Sequence, residues 1–208
     1  MSLFDAHAEA YAAKYADITL FQPALDQFCQ ALPTTRHRLL DIACGPGQLS
    51  RYVLTQCPEG QLMGIDLAPN MLACAQRILP AAEFRQLDCR EIGRQFEPGF
   101  AGIICGFVLP YLLPSEAEQL INDMAALLLP GGILYLSTME DSRHSEKWQT
   151  SSSGEGPSLR SSYYTADQLT AWFAQENLEV LYLERIEQPY QRGTTENDLV
   201  LVARKQQG

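Results

Sequence analysis

An α/β fold on a largely parallel sheet is predicted by two features of this 208-residue chain. Apolar runs of strand length alternate with helical patterns through most of the sequence, the pattern of strand–helix–strand units. Three successive runs also carry or meet an acid where the strand gives way to a loop, at Asp41, Asp66 and Asp88. The length suits one domain with a substantial core.

The elements follow in order. Helices are predicted near 3–15 and 20–31, then strands near 38–43, 61–66, 83–87, 101–105 and 132–138. Between them lie helices near 47–56, 69–79 and 115–129. Pro69 suits the first turn of its helix, and Gly131 and Gly132 follow Pro130 where a helix must stop. Residues 142–162, "SRHSEKWQTSSSGEGPSLRSS", are polar and rich in serine and glycine, so they read as a long loop or lid. Thr165 then opens a helix as its N-cap, with Gln168 three residues on. "LEVLYLERI" and "DLVLVARK" alternate and suit an antiparallel pair at the end of the sheet.

The formal charge of −10 opposes a broad grip on nucleic acid or an anionic membrane and favours a small-molecule partner. No apolar stretch reaches bilayer length. The opening residues have neither a basic region nor an apolar core, so no targeting peptide is expected and a cytoplasmic protein is predicted. Six cysteines lack any C-x-x-C spacing. They read as buried thiols, with neither a metal site nor a disulfide framework expected.

The chemistry concentrates in "LLDIACGPGQLS", residues 39–50. Asp41, Gly45 and Gly47 stand as D-x-x-x-G-x-G at a strand-to-helix junction. Glycine at both positions removes Cβ atoms that would block a ligand, and Pro46 stiffens the turn. A dinucleotide loop wants a third glycine, yet Ser50 stands there, and Asp41 would repel a pyrophosphate. A cofactor bearing a cation suits that acid better. Asp66 ends the next strand about 20 residues on, where an acid accepts from ribose hydroxyls. Asp88 suits an adenine amine and the Cys89 N–H a ring nitrogen. Each acid taken singly can equally be a helix cap or a loop residue.

With these stretches, and with "GIDLAPNML", "FRQLDCREI", "IICGFVLPYL" and "LLLPGGILYLS" in order, the sequence resembles the class I S-adenosylmethionine-dependent methyltransferases. The resemblance implies a Rossmann-like three-layer sandwich, with a seven-stranded sheet of order 3-2-1-4-5-7-6 and its last strand antiparallel. The chain then divides, within one domain, into a helical cap at 1–32, a cofactor-binding core at 33–140, a loop or lid at 141–164, and a C-terminal helix with two strands at 165–208. The resemblance assigns S-adenosylmethionine as cofactor and S-adenosylhomocysteine as product. It places Asp41, Ala43, Gly45 and Gly47 around the methionine part, Asp66 and Leu67 at ribose and adenine, Met71 on the adenine wall, Asp88 and Cys89 at the adenine edge, and Cys105 and Phe107 beneath the sulfonium. Ala101 stands where the family commonly has an acid at the start of its fourth strand, and a structural effect is expected there.

The expected acceptor is a small molecule methylated on O, N or C, by a monomer or homodimer. Tyr11, Tyr15, Tyr111 and His144 are the candidate acceptor-side residues, with His7, Glu140, Tyr163 and Tyr164 as further choices and no catalytic base assigned. His144 in its serine-rich loop reads more readily as a solvated residue, and Tyr11 with Tyr15 as packing on one helix face unless that helix caps the cofactor. "CGFVLPYL" has no Asn or Asp to hold a nucleobase amine. The other readings are a binding protein without transfer activity and a nicotinamide-dependent oxidoreductase, the latter disfavoured by Ser50 and Asp41.

Overall fold

The computed structural model describes residues 3–33, 37–141, 145–149, 159–187 and 196–207. In chain order the sheet elements are β1 (Arg38–Ile42), β2 (Gln61–Asp66), β3 (Glu83–Gln86), β4 (Phe100–Gly106) and β5 (Leu128–Asp141). A separate pair follows, β6 (Glu146–Gln149) and β7 (Leu159–Ser162), before β8 (Leu178–Ile186) and β9 (Glu196–Lys205). The helices are α1 (Leu3–Ala6), α2 (Ala8–Lys14), α3 (Gln22–Ala31), α4 (Gln48–Gln56), α5 (Pro69–Ile78), α6 (Ile92–Gln95), α7 (Pro114–Leu127) and α8 (Ala166–Gln175).

The seven-stranded sheet runs β3-β2-β1-β4-β5-β9-β8. Counted within that sheet alone, β8 and β9 are the sixth and seventh strands, so the order is the 3-2-1-4-5-7-6 that the resemblance implies. β1 to β5 pair in parallel, while β9 is antiparallel to both β5 and β8.

Strand alternation explains the layers. In β1, Leu40 and Ile42 join one apolar cluster while Leu39 joins the other. The first cluster takes Leu120, Ile121 and Met124 of α7 with Leu169 and Phe173 of α8. The second takes Ala24, Leu25 and Phe28 of α3 with Val53 of α4. Each fully buried Leu or Phe contributes about 1.5–3 kcal/mol, so both helical layers are held mainly by these stripes. Ala101 lies buried at the start of β4, away from the strand ends that carry the loops.

Three predicted elements change. The helix expected over 3–15 breaks at His7, which caps α2 without a side-chain bond. The 142–162 segment holds strands: Glu146–Gln149 and Leu159–Ser162 pair antiparallel where composition suggested only a loop. Residues 20–31 begin as a single 3-10 turn, Thr19–Phe21, before α3. The Thr165 cap forms as expected, accepting from the Gln168 N–H at 3.2 Å.

Candidate functional site

Past Ile42 the chain turns sharply away from the sheet. Ala43 and Gly45 both take left-handed backbone at φ +53° and Gly47 at +86°. For Ala43 such a conformation is costly, and strain of this kind concentrates at ligand sites. The Gly45 N–H donates to Asp66 Oδ2 at 2.9 Å, and the Ala68 N–H donates to Oδ1 at 2.8 Å. Asp66 therefore clamps the glycine loop to the end of β2 while each oxygen retains a lone pair. Burial pushes its carboxyl up, against the opposing pull of the Ala68 and Gly45 N–H groups.

The two glycines serve different ends. A Cβ on Gly45 would meet nothing within 4 Å, so that side of the loop is open to a ligand. A Cβ on Gly47 would lie 3.1 Å from the Ala75 Cβ, so Gly47 is required for its turn and for the approach of α5. Gly47 is not among the residues that line the cavity.

Asp41 is also relocated. It is 1% exposed, accepts from Ser50 Oγ at 2.5 Å, and lies behind the cavity wall. Burial raises its carboxyl to about 7, with the Ser50 bond opposing and the Asp66 charge adding. The position where a dinucleotide loop keeps its third glycine thus holds a hydroxyl that serves the acid.

The cavity, of about 250 Å³, opens at the carboxyl ends of β1 to β4. Ala43, Gly45, Asp66, Leu67, Met71, Asp88, Cys89 and Phe107 all line it, as does Tyr111. Cys105 does not: it is fully buried in the core, and the wall at that strand end is made by Gly106 and Phe107. Phe107 is itself left-handed at φ +53°, with its N–H donating to the Ser137 carbonyl at 2.8 Å. Burial pushes the Cys44 and Cys105 thiols far up, so neither is a nucleophile at neutral pH.

Asp88 is more constrained than its sequence position suggests. Arg90 grips both its oxygens, Nη2 at 2.6 Å and Nε at 3.0 Å, and its Nη1 reaches Glu116 Oε1 at 3.0 Å. The Arg90 side chain and N–H hold the Asp88 carboxyl below its usual range. An adenine amine would share an acid already engaged by Arg90.

The acceptor-side candidates separate. Tyr11 and Tyr111 stand on the wall. Tyr15 is off it, its ring 4.5 Å from that of Tyr11. His7 is exposed at the break between α1 and α2 and is not on the wall. Glu140 is occupied in holding α8, accepting from the Ala166 N–H at 2.8 Å and from Arg185 Nε at 2.5 Å. Tyr164 is buried and donates to the Leu112 carbonyl at 3.1 Å, while Tyr163 is buried beneath Lys147. His144 lies outside the described residues. Partial burial against the cavity wall, with Tyr15 and Tyr163 nearby, pushes the Tyr111 phenol up to about 12, so it stays protonated at neutral pH.

Phe4, Arg90 and Phe21 were missed by sequence reasoning. Phe4 lines the cavity, 4.9 Å from the Tyr111 ring and 6.0 Å from Tyr11. Its placement depends on Asp5, whose Oδ1 accepts from the Asn70 N–H at 2.9 Å and whose carbonyl accepts from the Asn70 amide at 3.0 Å. Phe21 packs edge-on against Phe107 at 5.5 Å. The i, i+2 spacing of Asp88 and Arg90 was the one signal present in the sequence.

Comparison with known proteins fits this geometry, since residues 39–132 match the family described as "Methyltransferase domain". The matched stretch is 94 of the chain's 208 residues. It carries the glycine loop, Asp66, Asp88 and Phe107. A trans-aconitate 2-methyltransferase of Methylobacterium nodulans is 33% identical over 121 residues, 58% of this chain and 45% of that protein. The chain spans about half the length of the curated relatives it matches. A SAM-dependent methyltransferase of Methanosarcina mazei superposes with a TM-score of 0.74 at 17% identity, covering 89% of this chain and 98% of that one. The 1,6-didemethyltoxoflavin-N1-methyltransferase of Burkholderia thailandensis, solved with 1,6-didemethyltoxoflavin and S-adenosylhomocysteine, gives 0.72 at 21%, covering 98% and 86%. The likeness in fold therefore extends beyond the matched residues into the C-terminal strands.

Proposed function

We propose that the chain is an S-adenosylmethionine-dependent methyltransferase acting on a small-molecule acceptor. The observation that carries this reading is the open face of Gly45, left-handed beside Ala43 and tied to Asp66 at the end of β2. The methyltransferase-domain match across these residues supports it, as does the S-adenosylhomocysteine named for the Burkholderia thailandensis structure.

The residues present fit such a cofactor. Gly45 would admit the methionine part against its backbone, and Asp41 behind the loop would add negative charge facing its cationic groups. Asp66 has lone pairs left for ribose hydroxyls, while Leu67 and Met71 would flank the adenine and the Cys89 N–H would meet its edge. When bound, S-adenosylmethionine supplies a methyl group on an already activated sulfonium. No residue of the chain must therefore attack covalently. The chain's task is to align the acceptor and keep competing water away, an effect worth about 7–11 kcal/mol in favourable cases. Tyr111, protonated, donates a hydrogen bond rather than accepting a proton.

Calorimetry tests the reading directly. S-adenosylmethionine and S-adenosylhomocysteine should each bind one site in the micromolar range, and NADH should not. A folded protein that binds neither would remove it.

A further inference from the structure

Beyond the cofactor wall, the cavity opens among rings. Phe4 packs against Tyr111 at 4.9 Å, Tyr11 against Tyr15 at 4.5 Å, and Phe21 against Phe107 at 5.5 Å. Exposed apolar side chains lie in the same segments as these rings: Tyr15 and Leu20 within residues 4–21, and Tyr111 and Leu113 after β4. Large apolar groups left in water beside a cavity mark a surface that binds something apolar. The N-terminal arm, the segment after β4 and the β6–β7 pair converge here, as Ser162 Oγ and Tyr164 both donate to the Leu112 carbonyl on the cavity wall.

The charges at this end point the same way. Arg90, the one cation on the wall among the described residues, is engaged by Asp88 and Glu116. Lys147 is held by Asp141 and Glu196 at 2.5 Å each, and Arg160 pairs with Glu146 at 3.0 Å. Lys14 rests 5.0 Å over the Tyr15 ring. An incoming polycarboxylate would meet Asp66 and Asp88 on the wall and Asp41 behind it, while among the described residues the wall's one cation, Arg90, is already engaged by acids of the chain, as are Lys147 and Arg160 nearby. Desolvating several carboxylates without a matching cation is strongly unfavourable.

We propose that the acceptor is an uncharged, planar aromatic or heteroaromatic molecule held between ring faces, and not a polycarboxylate such as the trans-aconitate for which the curated relatives are named. This rests on the methyltransferase reading and specifies the substrate class of that same cavity. Ring stacking orients the acceptor's flat face, and the Tyr111 hydroxyl supplies a hydrogen-bond donor at the wall.

The test is calorimetric and does not require turnover. Protein saturated with S-adenosylhomocysteine is titrated with uncharged one- and two-ring phenols and azaheterocycles, and in parallel with mono-, di- and tricarboxylates including trans-aconitate. The expected result is binding by members of the aromatic set at least about tenfold tighter than any carboxylate. Phe21→Leu and Tyr15→Leu, both off the cavity wall, should weaken that binding about fivefold while S-adenosylhomocysteine affinity stays within about twofold of the parent. Tighter carboxylate binding, or binding of neither set to the loaded protein, overturns the proposal and leaves the cofactor reading standing. Failure to load S-adenosylhomocysteine at all strikes the cofactor reading itself.

Discussion

The two halves of the cavity are built in different ways. On the cofactor side, the loop after β1 is tied to the end of β2 by the Asp66 carboxylate, which accepts from the Gly45 and Ala68 N–H groups, and the lining groups sit at or just past the ends of β1 to β4. On the acceptor side, rings from residues 4–21 pack against rings from 107–113, and the chain after β7 reaches the same wall only through hydrogen bonds to the Leu112 carbonyl. A site made of strand ends is fixed by the sheet itself. A site made of aromatic contacts between distant segments can change its occupant by single substitutions while the sheet stays intact.

The largest test of that contrast is Gly45→Val. A branched side chain there would be forced into left-handed backbone and into the open side of the loop. S-adenosylhomocysteine affinity should fall at least about 100-fold, near 3 kcal/mol on a calorimetric scale. Gly47→Ala should act differently, lowering the melting temperature through the clash with Ala75 more than it lowers affinity.

Next comes Asp66→Ala, which removes a ribose acceptor and releases the Gly45 and Ala68 N–H groups. Loss of about 1.5–3 kcal/mol in cofactor binding is expected from hydrogen bonds to a charged group. Unchanged affinity by calorimetry would reduce Asp66 to a loop clamp.

Asp41 gives a pH signature. Its folded-state value near 7 lies above the ordinary 3.8, so the folded chain holds a proton that the unfolded chain releases. Stability from this group is complete below about pH 4 and is lost as the pH rises to about 7, by on the order of 4 kcal/mol at most. Cofactor affinity should run the opposite way, rising through pH 7 as the carboxylate ionises opposite a cation. Asp41→Asn should flatten both curves, measured by thermal unfolding and calorimetry from pH 5 to 8.

The smallest effect is Arg90→Ala. The pair with Asp88 is half exposed on the arginine side, so stability should change by under about 1 kcal/mol. Freeing Asp88 should alter affinity for adenosine, measured by competition against S-adenosylhomocysteine, more than it alters the melting temperature.

These differences also explain what the sequence made legible. The strand ends at Asp66 and Asp88 and the open glycine at 45 could be read because main-chain geometry dictates those residue types locally. The resemblance puts Asp41, Gly47 and Cys105 at the ligand; in the structure Asp41 is buried against Ser50, Gly47 lies against Ala75 and Cys105 sits in the core. Sequence position locates each residue on its loop or strand, but what it packs against is decided by neighbours from other elements. The β6–β7 pair escaped notice because two four-residue strands in a serine-rich stretch show too few alternations. Phe4 and Phe21 carried no local pattern at all; Asp5 on the start of α5 and Phe107 after β4 place them.

The central claim is that the glycine loop and the two following strand ends hold S-adenosylmethionine, and hydrogen–deuterium exchange on the protein with and without S-adenosylhomocysteine tests it most directly. Binding should slow exchange at the backbone of residues 43–47, 66–68 and 88–90. Saturating S-adenosylhomocysteine that leaves those three segments unprotected would contradict it.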